Sequence, residues 1–163
     1  MSKDTIGRQP SARCYHTSFY EEPYLYIYAG QGDKGRSLGD CAVLNMKTCE
    51  WKRLFFTEPP TPRHQHVMAN TAQKKIKYVF GGISMPDNIL YNDLWLMDIQ
   101  AQTDIKNSPE ITGVVWRPIQ TKGEKPMPRK GHMGYFHNNN FIVFGGSTND
   151  FRDNTSDIFA LDT

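Results

Sequence analysis

The amino-acid sequence contains three similar segments, one after another, with a period of about 50 residues. In each segment an arginine stands three residues before a histidine, and a glycine pair or its equivalent ends an apolar run 14 to 16 residues later. An aspartate then opens a second apolar run. The shared positions are Arg13, Arg63 and Arg129; His16, His66 and His132; Ala29-Gly30, Gly81-Gly82 and Gly145-Gly146; and Asp40, Asp93 and Asp157. A period of this length is typical of stacked units that bury their faces against one another.

Each unit is predicted to contain four short β-strands, because the apolar runs are short and no window shows a useful helical period. Strand one starts at the histidine, strand two ends at the glycine pair, strand three follows the aspartate, and strand four carries Trp51 or Trp116. The run YLYIYAG at 24–30 is apolar on both faces, so neighbouring sheets must cover both. Three asparagines at 138–140 suit a tight hairpin, since asparagine tolerates positive φ.

These motifs resemble the kelch repeat, a blade of a β-propeller, and are most similar to the broad galactose-oxidase-like kelch class. The resemblance rests on R-x-x-H, the glycine pair, the aspartate and a W…G-x-x-P-x-x-R connection, and spans about Gly7 to Asp162. It implies an all-β chain: a single propeller portion with about three blades of four antiparallel strands, at about 10–57, 60–122 and 126–163. Residues 1–9 would be the tail of a preceding outer strand.

Two departures from the repeat stand out. Ala29 replaces the first glycine in the first unit, and the second unit is about 12 residues longer between Asp98 and Trp116. That insertion is interpreted as a disordered decoration, with a separate docking element as the alternative.

The number of blades leaves two arrangements open, because a propeller ring closes with about four to eight blades. We expect this chain to be a portion of a larger propeller of six or so blades, since an open ring exposes strand edges and apolar faces. The alternative is a homodimer that completes a six-bladed ring, in which residues 1–6 of one chain supply the outer strand that the other lacks.

A glycine-rich loop at 30–37 offers a competing interpretation as a nucleotide site. Gly30, Gly32 and Gly35 have the spacing G-x-G-x-x-G, and Arg36 stands where a P-loop has its lysine. Both phosphate-binding motifs require a helix to begin where the glycines end. The residues that follow instead align with the other two strands opened by an aspartate, so the loop is predicted to be a turn.

The composition limits the kinds of partner and the cellular compartment that we expect for this chain. The net charge of the 163 residues is +2, without the clustered basic face that nucleic acid or an anionic membrane would need. No apolar stretch approaches the roughly 18 residues of a membrane span. Three cysteines without a C-x-x-C pair fit a reducing compartment, so a soluble cytoplasmic chain is predicted.

The resemblance implies that peptide partners bind the face made by the connections from strand four to strand one and the loops between strands two and three. The repeated arginines lie in those connections, where a guanidinium could hold acidic groups or a C-terminal carboxylate. The alternative is that a residue repeated in every blade is a structural contact. The loops between strands two and three differ in charge and bulk, as a binding surface on a rigid scaffold would. The alternative is that these loops differ only because they tolerate sequence change. The predicted partner-binding residues are Arg13, Arg36, Arg63, Tyr91, Arg129, Phe151 and Arg152.

The repeated histidines, glycines, aspartates and tryptophans are predicted to be structural, while His64 and His137 are expected at the surface. The three repeated histidines could in principle approach a metal, but equivalent residues of separate blades point to separate positions. No E-x-x-x-D-x-x-x-H run for iron is present, and Cys14 beside Tyr15 gives no support for a tyrosine–cysteine cofactor. Neither a metal nor a cofactor is therefore predicted.

The sequence thus predicts a non-enzymatic scaffold that binds a protein or peptide. Two alternatives are kept. One is the kelch portion of a larger multidomain protein, such as a phosphatase regulatory region or a ubiquitin-ligase substrate receptor, and the other is a metal-dependent propeller enzyme.

Overall fold

The computed structural model describes residues 4–73, 75–103, 109–148 and 154–163, which form an all-β structure with one main sheet for each repeat. In the first sheet the order is β1-β5-β4-β3-β2. Neighbouring strands from β2 to β5 are antiparallel, and β1 is added in parallel at the outer edge. These strands are β1 (Ile6–Gly7), β2 (Thr17–Glu21), β3 (Tyr24–Gln31), β4 (Ser37–Asn45) and β5 (Glu50–Arg53).

The second sheet repeats this arrangement in the order β6-β12-β11-β8-β7, again with a parallel strand, β6, at the outer edge. A separate two-stranded hairpin, β9 and β10, lies in the loop that follows β8. The strands are β6 (Phe56–Thr57), β7 (Val67–Asn70), β8 (Ile76–Phe80), β9 (Ile83–Ser84), β10 (Ile89–Leu90), β11 (Leu94–Thr103) and β12 (Pro109–Ile119).

The third sheet contains three antiparallel strands in the order β13-β14-β15. The turn between its first two strands places Asn138 and Asn139 at φ values of 47° and 61°, as the asparagine run predicted. The strands are β13 (Met133–His137), β14 (Asn140–Ser147) and β15 (Asn154–Asp162). The predicted all-β, blade-like architecture is confirmed.

Two connecting segments have a role that the repeat pattern did not predict. Ile6–Gly7 pairs in parallel with Glu50 and Trp51, and Phe56–Thr57 pairs in the same way with Val114 and Val115. Each segment therefore adds a fifth strand to the sheet that follows it in the chain. The boundaries of the three units, and the assignment of residues 1–9 to a preceding blade, stay predictions.

The described part of the insertion in the second unit is a β-ribbon. Strands β11 and β12 stay paired past Ile99 and Val114 as far as Thr103 and Pro109, with one irregularity after Gln100. The interpretation as a disordered decoration is therefore wrong for these residues, because their backbone groups pair with each other.

Two apolar clusters join consecutive sheets. Between the first and second sheets, Tyr26 and Tyr28 pack in one cluster with Met97, Ile99 and Trp116, all at most 3% exposed. Between the second and third sheets, the corresponding cluster consists of Ala69, Phe80, Leu94, Phe141, Val143 and Leu161. Burying a large apolar side chain stabilises a fold by about 1.5–3 kcal/mol, so these two interfaces hold the blades together.

None of the helices in the described ranges is long and apolar enough to cross a membrane.

Candidate functional site

Each repeated arginine forms a two-bond ion pair with the repeated aspartate of its own blade. Arg63 donates from Nη1 to Asp93 Oδ1 at 2.6 Å and from Nη2 to Asp93 Oδ2 at 2.9 Å. Its Nη1 also donates to the Gly81 carbonyl and its Nε to the Thr61 carbonyl, each at 3.0 Å. The equivalent pairs are Arg13–Asp40, at 2.8 and 3.0 Å, and Arg129–Asp157, at 2.6 and 2.9 Å. This pattern ties the connection before strand one to both ends of the loop between strands two and three.

The guanidinium groups of these pairs are buried, while the carboxylates reach solvent. The arginine side chains are 4%, 0% and 1% exposed in chain order, against 26%, 35% and 38% for the aspartates. The hydrogen bond from Arg129 lowers the pKa of Asp157 to about 2. Burial alone would raise the pKa of Asp40, but the hydrogen bond and the charge of Arg13 lower this pKa below its usual value. A partner would have to displace an aspartate to reach an arginine, so this geometry favours the structural alternative.

Backbone hydrogen bonds run from blade to blade along the third residue of each R-x-x-H motif. The Gln65 N–H donates to the Tyr15 carbonyl at 3.2 Å, and the Gly131 N–H donates to the Gln65 carbonyl at 3.0 Å. All three residues have left-handed φ values, 54°, 54° and 64°. The inner ends of the first strands are therefore held in a fixed relation to one another.

The second glycine of each pair lies directly against the repeated histidine. At Gly82, with φ +94°, an added Cβ would stand 2.9 Å from His66 Cβ and 2.8 Å from the His64 carbonyl oxygen. The same close approach occurs at Gly30 and Gly146. Both the positive φ and the lack of space require glycine here. Ala29 has the left-handed φ, 57°, that the first glycine has in the other two blades.

Two of the three repeated histidines, His66 and His132, fill separate positions between blades. His66 Nε2 lies 2.8 Å from Thr17 Oγ1, and its ring stands edge-on to Tyr28 at 5.4 Å. Burial lowers the pKa of His66 to about 3, with Arg63 adding to the effect. His132 stands edge-on to Phe80 at 5.3 Å, and burial lowers its pKa to about 4. His16 is exposed on the first blade.

The two repeated tryptophans differ in burial. Trp116 is 3% exposed and packs 4.8 Å from Tyr28 in the preceding blade, while Trp51 is half-buried on its outer strand. In the part of the chain that the structure describes, no three His, Cys, Asp or Glu side chains are grouped so that they could hold a metal ion.

The loops between strands two and three differ from blade to blade. The first loop contains a short 3-10 turn at Asp33–Gly35, and β4 follows directly at Ser37, so no helix begins after the glycines and the interpretation as a turn agrees with the structure. Arg36 is exposed in this loop. In the second blade, Tyr91 is half-buried, and its ring lies 4.2 Å from the Arg63 guanidinium carbon. Phe151 and Arg152 lie outside the described residues.

A polar contact joins the loops of the first two blades. Ser37 Oγ lies 2.9 Å from His64 Nδ1, accepts the Met85 N–H at 2.9 Å and donates to the Ile83 carbonyl at 3.3 Å. The ring of Tyr15, 56% exposed, lies 6.1 Å from that of His64. We name this surface the loop junction and define it by five residues: Tyr15, Arg36, Ser37, His64 and Met85.

Sequence reasoning missed most of the loop junction. The expectation that His64 lies at the surface is wrong, since it is 4% exposed, whereas His137 is exposed as expected. Burial lowers the pKa of His64, and the charge of Lys130 lowers it further. A usable signal was the second residue of R-x-x-H, which is Cys14, His64 or Lys130 and therefore varies between otherwise matching motifs.

Consecutive β-sheets joined by these repeated contacts define the class of protein: a β-propeller portion built from kelch blades. The chain belongs to the KLHDC2/KLHL20/DRC7 Kelch-repeats domain family, whose model matches residues 2–163. This confirms the resemblance to kelch repeats.

Several curated proteins are similar in sequence to this chain. Acyl-CoA-binding domain-containing protein 5 of Arabidopsis thaliana is 29% identical over 146 residues, which cover 89% of this chain and 20% of that protein. Dynein regulatory complex subunit 7 of Chlamydomonas reinhardtii is 27% identical over 148 residues, 90% of this chain and 12% of that protein. Kelch domain-containing protein 3 of Homo sapiens is 25% identical over 169 residues, 96% of this chain and 40% of that protein. The chain thus spans less than half the length of each of these relatives.

Proposed function

We propose that this chain is a non-enzymatic interaction module whose loop face binds a protein or peptide partner. The observation that carries the proposal is the loop junction. Its backbone is fixed by the arginine–aspartate pairs and by the contacts of Ser37, while Tyr15 and Arg36 stand exposed on it. A rigid support with exposed aromatic and arginine side chains is the composition that dominates interface energetics.

The chemistry of the loop junction favours an acidic partner segment or a free C-terminal carboxylate. Arg36 offers a planar guanidinium, which binds carboxylates through two parallel hydrogen bonds. The ring of Tyr15, which is also exposed, offers apolar area with a polar hydroxyl group at its tip. The three repeated arginines are already held by aspartates, so Arg36 replaces them as the proposed anchor.

A direct test measures binding of a labelled peptide library with acidic residues, in which each peptide has either a free or an amidated C-terminus. Arg36→Ala is expected to weaken binding about tenfold, since arginines near the centre of an interface are frequent hot spots. Lys47→Ala is the matched control, because Lys47 is 71% exposed in the turn between β4 and β5, at the opposite end of the blade. Equal binding by both variants would count against the loop junction.

A second copy of the chain is a further candidate partner, favoured by the exposed face of the third sheet. Phe144 is 49% exposed, whereas Tyr28 and Phe80, at the same repeat position, are 0% exposed. His16 on the first blade is exposed at the position where His66 and His132 meet those aromatic rings. A homodimer that completes a six-bladed ring would join the two surfaces. A native mass equal to a single chain at micromolar concentration would contradict it.

The proposal that the module is non-enzymatic and cytoplasmic has its own tests. Cys14, Cys41 and Cys49 are free thiols, and free thiols are the form that a reducing compartment maintains. Fractionation of cells that express a tagged chain would test the compartment. Metal analysis of the purified protein would test the rival enzyme class, since a stoichiometric, tightly held transition metal would contradict the non-enzymatic assignment.

A further inference from the structure

The two ring nitrogens of His64, in the loop junction, have different surroundings. Nδ1 lies 2.9 Å from Ser37 Oγ, whereas Nε2 has no hydrogen-bond partner among the described residues. Nε2 is not buried either, because the six buried side-chain atoms that lack a partner in the described ranges belong to other residues. Solvent therefore reaches the ring at Nε2, although the residue as a whole is 4% exposed. A ligand at the loop junction meets His64 at this nitrogen.

The hydrogen bonds of Ser37 suit both the neutral and the protonated ring. A serine hydroxyl group has one hydrogen to donate and two lone pairs that accept. It accepts the Met85 N–H at 2.9 Å, and the Ile83 carbonyl lies 3.3 Å away as an acceptor for its hydrogen. Beside the neutral ring the hydroxyl group can donate to Nδ1, and beside the imidazolium it accepts the Nδ1 hydrogen and donates to Ile83. Protonation of His64 therefore leaves no group of this network unpaired.

The groups around the ring favour neutral His64 in the free protein. Burial lowers its pKa, and the charge of Lys130, on the connection that precedes β13, lowers it further. His66, two residues along the chain, has a pKa of about 3 and is uncharged near neutral pH. The ring of Tyr15 lies 6.1 Å away, and Arg36 is exposed in the adjoining loop. Among the described residues no carboxylate affects the pKa of His64, so a ligand carboxylate would supply the negative charge that favours the imidazolium.

We infer that His64 is a specificity-determining residue of the loop junction, which donates a hydrogen bond from Nε2 to a ligand carboxylate and takes up a proton as that carboxylate binds. The inference rests on the proposed function, because it concerns the same carboxylate ligand that Arg36 is proposed to anchor. A hydrogen bond from an imidazolium to a carboxylate is stronger than one from the neutral ring. The amide of asparagine, glutamine or an amidated C-terminus is uncharged, so its binding gains little from the proton. His64 thus selects carboxylates over amides, and more strongly as the pH falls.

The direction of the pH dependence follows from the proton that binds with the ligand. A bound carboxylate raises the pKa of His64 above its value in the free protein, so the complex holds more protons than the separate molecules. Affinity should therefore increase as the pH falls through the pKa of His64 in the complex, and level off below its pKa in the free protein. The carboxylates of a ligand stay ionised above about pH 5.5, because their ordinary pKa values are about 4.

The test measures binding of two rhodamine-labelled peptides by fluorescence anisotropy at several pH values. One is SDSDSD with a free C-terminus, and the other is SNSNSN with an amidated C-terminus, which has no carboxylate. For the wild type, the dissociation constant of SDSDSD is expected to fall about fivefold from pH 7.5 to 5.5, whereas that of the amide peptide should change less than about twofold. Circular dichroism at each pH checks that the protein is folded.

His64→Asn removes the titrating ring and keeps a polar group near Ser37, so its affinity for SDSDSD should change less than about twofold over the same pH range. The matched control is His137→Asn, at the far end of β13, where the histidine is exposed; it should keep the fivefold change. Because His64→Asn also alters buried packing, NMR of the wild-type histidine rings provides a second readout. The His64 signal, identified by its contact with the Tyr15 ring, should titrate at a higher pH with saturating SDSDSD than without it.

Arg36→Ala separates this inference from the proposed function. If Arg36→Ala weakens binding of SDSDSD but the wild-type affinity does not depend on pH, the loop junction stands and the role of His64 is overturned. A fivefold change that persists in His64→Asn would also overturn it, because another group would then take up the proton. If Arg36→Ala and Lys47→Ala bind equally well, or the wild type does not bind SDSDSD at either pH, the proposed function fails as well.

Discussion

Replacing Arg63 with alanine tests whether the repeated arginines hold the fold or bind a partner. The substitution removes two hydrogen bonds to Asp93, one each to the Gly81 and Thr61 carbonyls, and the stacking on Tyr91. Removing one partner of a buried ion pair costs about 3–5 kcal/mol. The lower end applies, because the Asp93 carboxylate is 35% exposed and water can solvate it afterwards. Lost stacking adds about 0.5–1 kcal/mol, so the expected loss is about 3–4 kcal/mol.

The assay is urea unfolding monitored by circular dichroism, with the free energy of unfolding taken from the midpoint at constant slope. Arg63→Lys keeps the charge but loses the two-bond geometry, so its loss should be about 2 kcal/mol. The exposed control Arg36→Ala should stay within about 0.5 kcal/mol of the wild type. A loss below about 1 kcal/mol for Arg63→Ala, combined with loss of peptide binding, would refute the structural role and restore the partner-binding one.

Three further predictions concern stability. Ala29→Gly should change the free energy of unfolding by less than about 0.5 kcal/mol in the same urea assay, because relief of left-handed strain of about 1–2 kcal/mol is offset by the added freedom of glycine in the unfolded chain and by the loss of a buried methyl group; a change above about 1.5 kcal/mol in either direction would contradict this. The folded-state pKa values of His66 and His132, about 3 and about 4, lie well below the unfolded value of about 6.5. Between pH 7 and 5 the unfolded chain therefore binds protons that the folded chain does not, so the free energy of unfolding should fall by about 2 kcal/mol for each histidine. A urea midpoint that stays constant over this pH range would disprove the prediction. Lys77→Met alone should cost about 2 kcal/mol, because it leaves Glu21 without its buried ion-pair partner between blades, and adding Glu21→Leu should recover most of that loss.

The fold could be predicted because three copies of the repeat carry the same residue types at nearly the same spacing. Strand order, the asparagine turn and burial on both faces follow from spacing and composition, and the comparison of copies removed the phosphate-loop interpretation. The arginine–aspartate pairing was also within reach, since 27, 30 and 28 residues separate the partners in the three units. A nearly constant separation of opposite charges is a signal of pairing that the sequence analysis did not use.

The loop junction and the outer parallel strands could not be predicted in the same way. Ser37 contacts His64 and Met85 across a blade boundary, and among the residues that the structure describes none of these contacts recurs in the other blades. A comparison of the three copies identifies the positions that they share, so it cannot identify contacts between positions that differ from copy to copy. The outer strands β1 and β6 are two residues long, too short for any periodicity to mark them.

The repeat also indicates where recognition can vary without damage to the fold. The second residue of each R-x-x-H motif forms a backbone bridge to the residue after the glycine pair: Cys14 to Gln31, His64 to Ile83 and Lys130 to Ser147. These bridges use main-chain groups only, so they persist whichever side chains stand at the two positions. The neighbouring arginine and histidine are fixed by an aspartate and by a glycine without space for a Cβ. Each blade therefore has two positions whose backbone contacts do not depend on the side chain. His64, Ile83 and Lys130 at these positions are at most 5% exposed, so a substitution there changes the packing beneath the loops, and differences in binding between blades are expected in the exposed loop residues rather than at the repeated arginines.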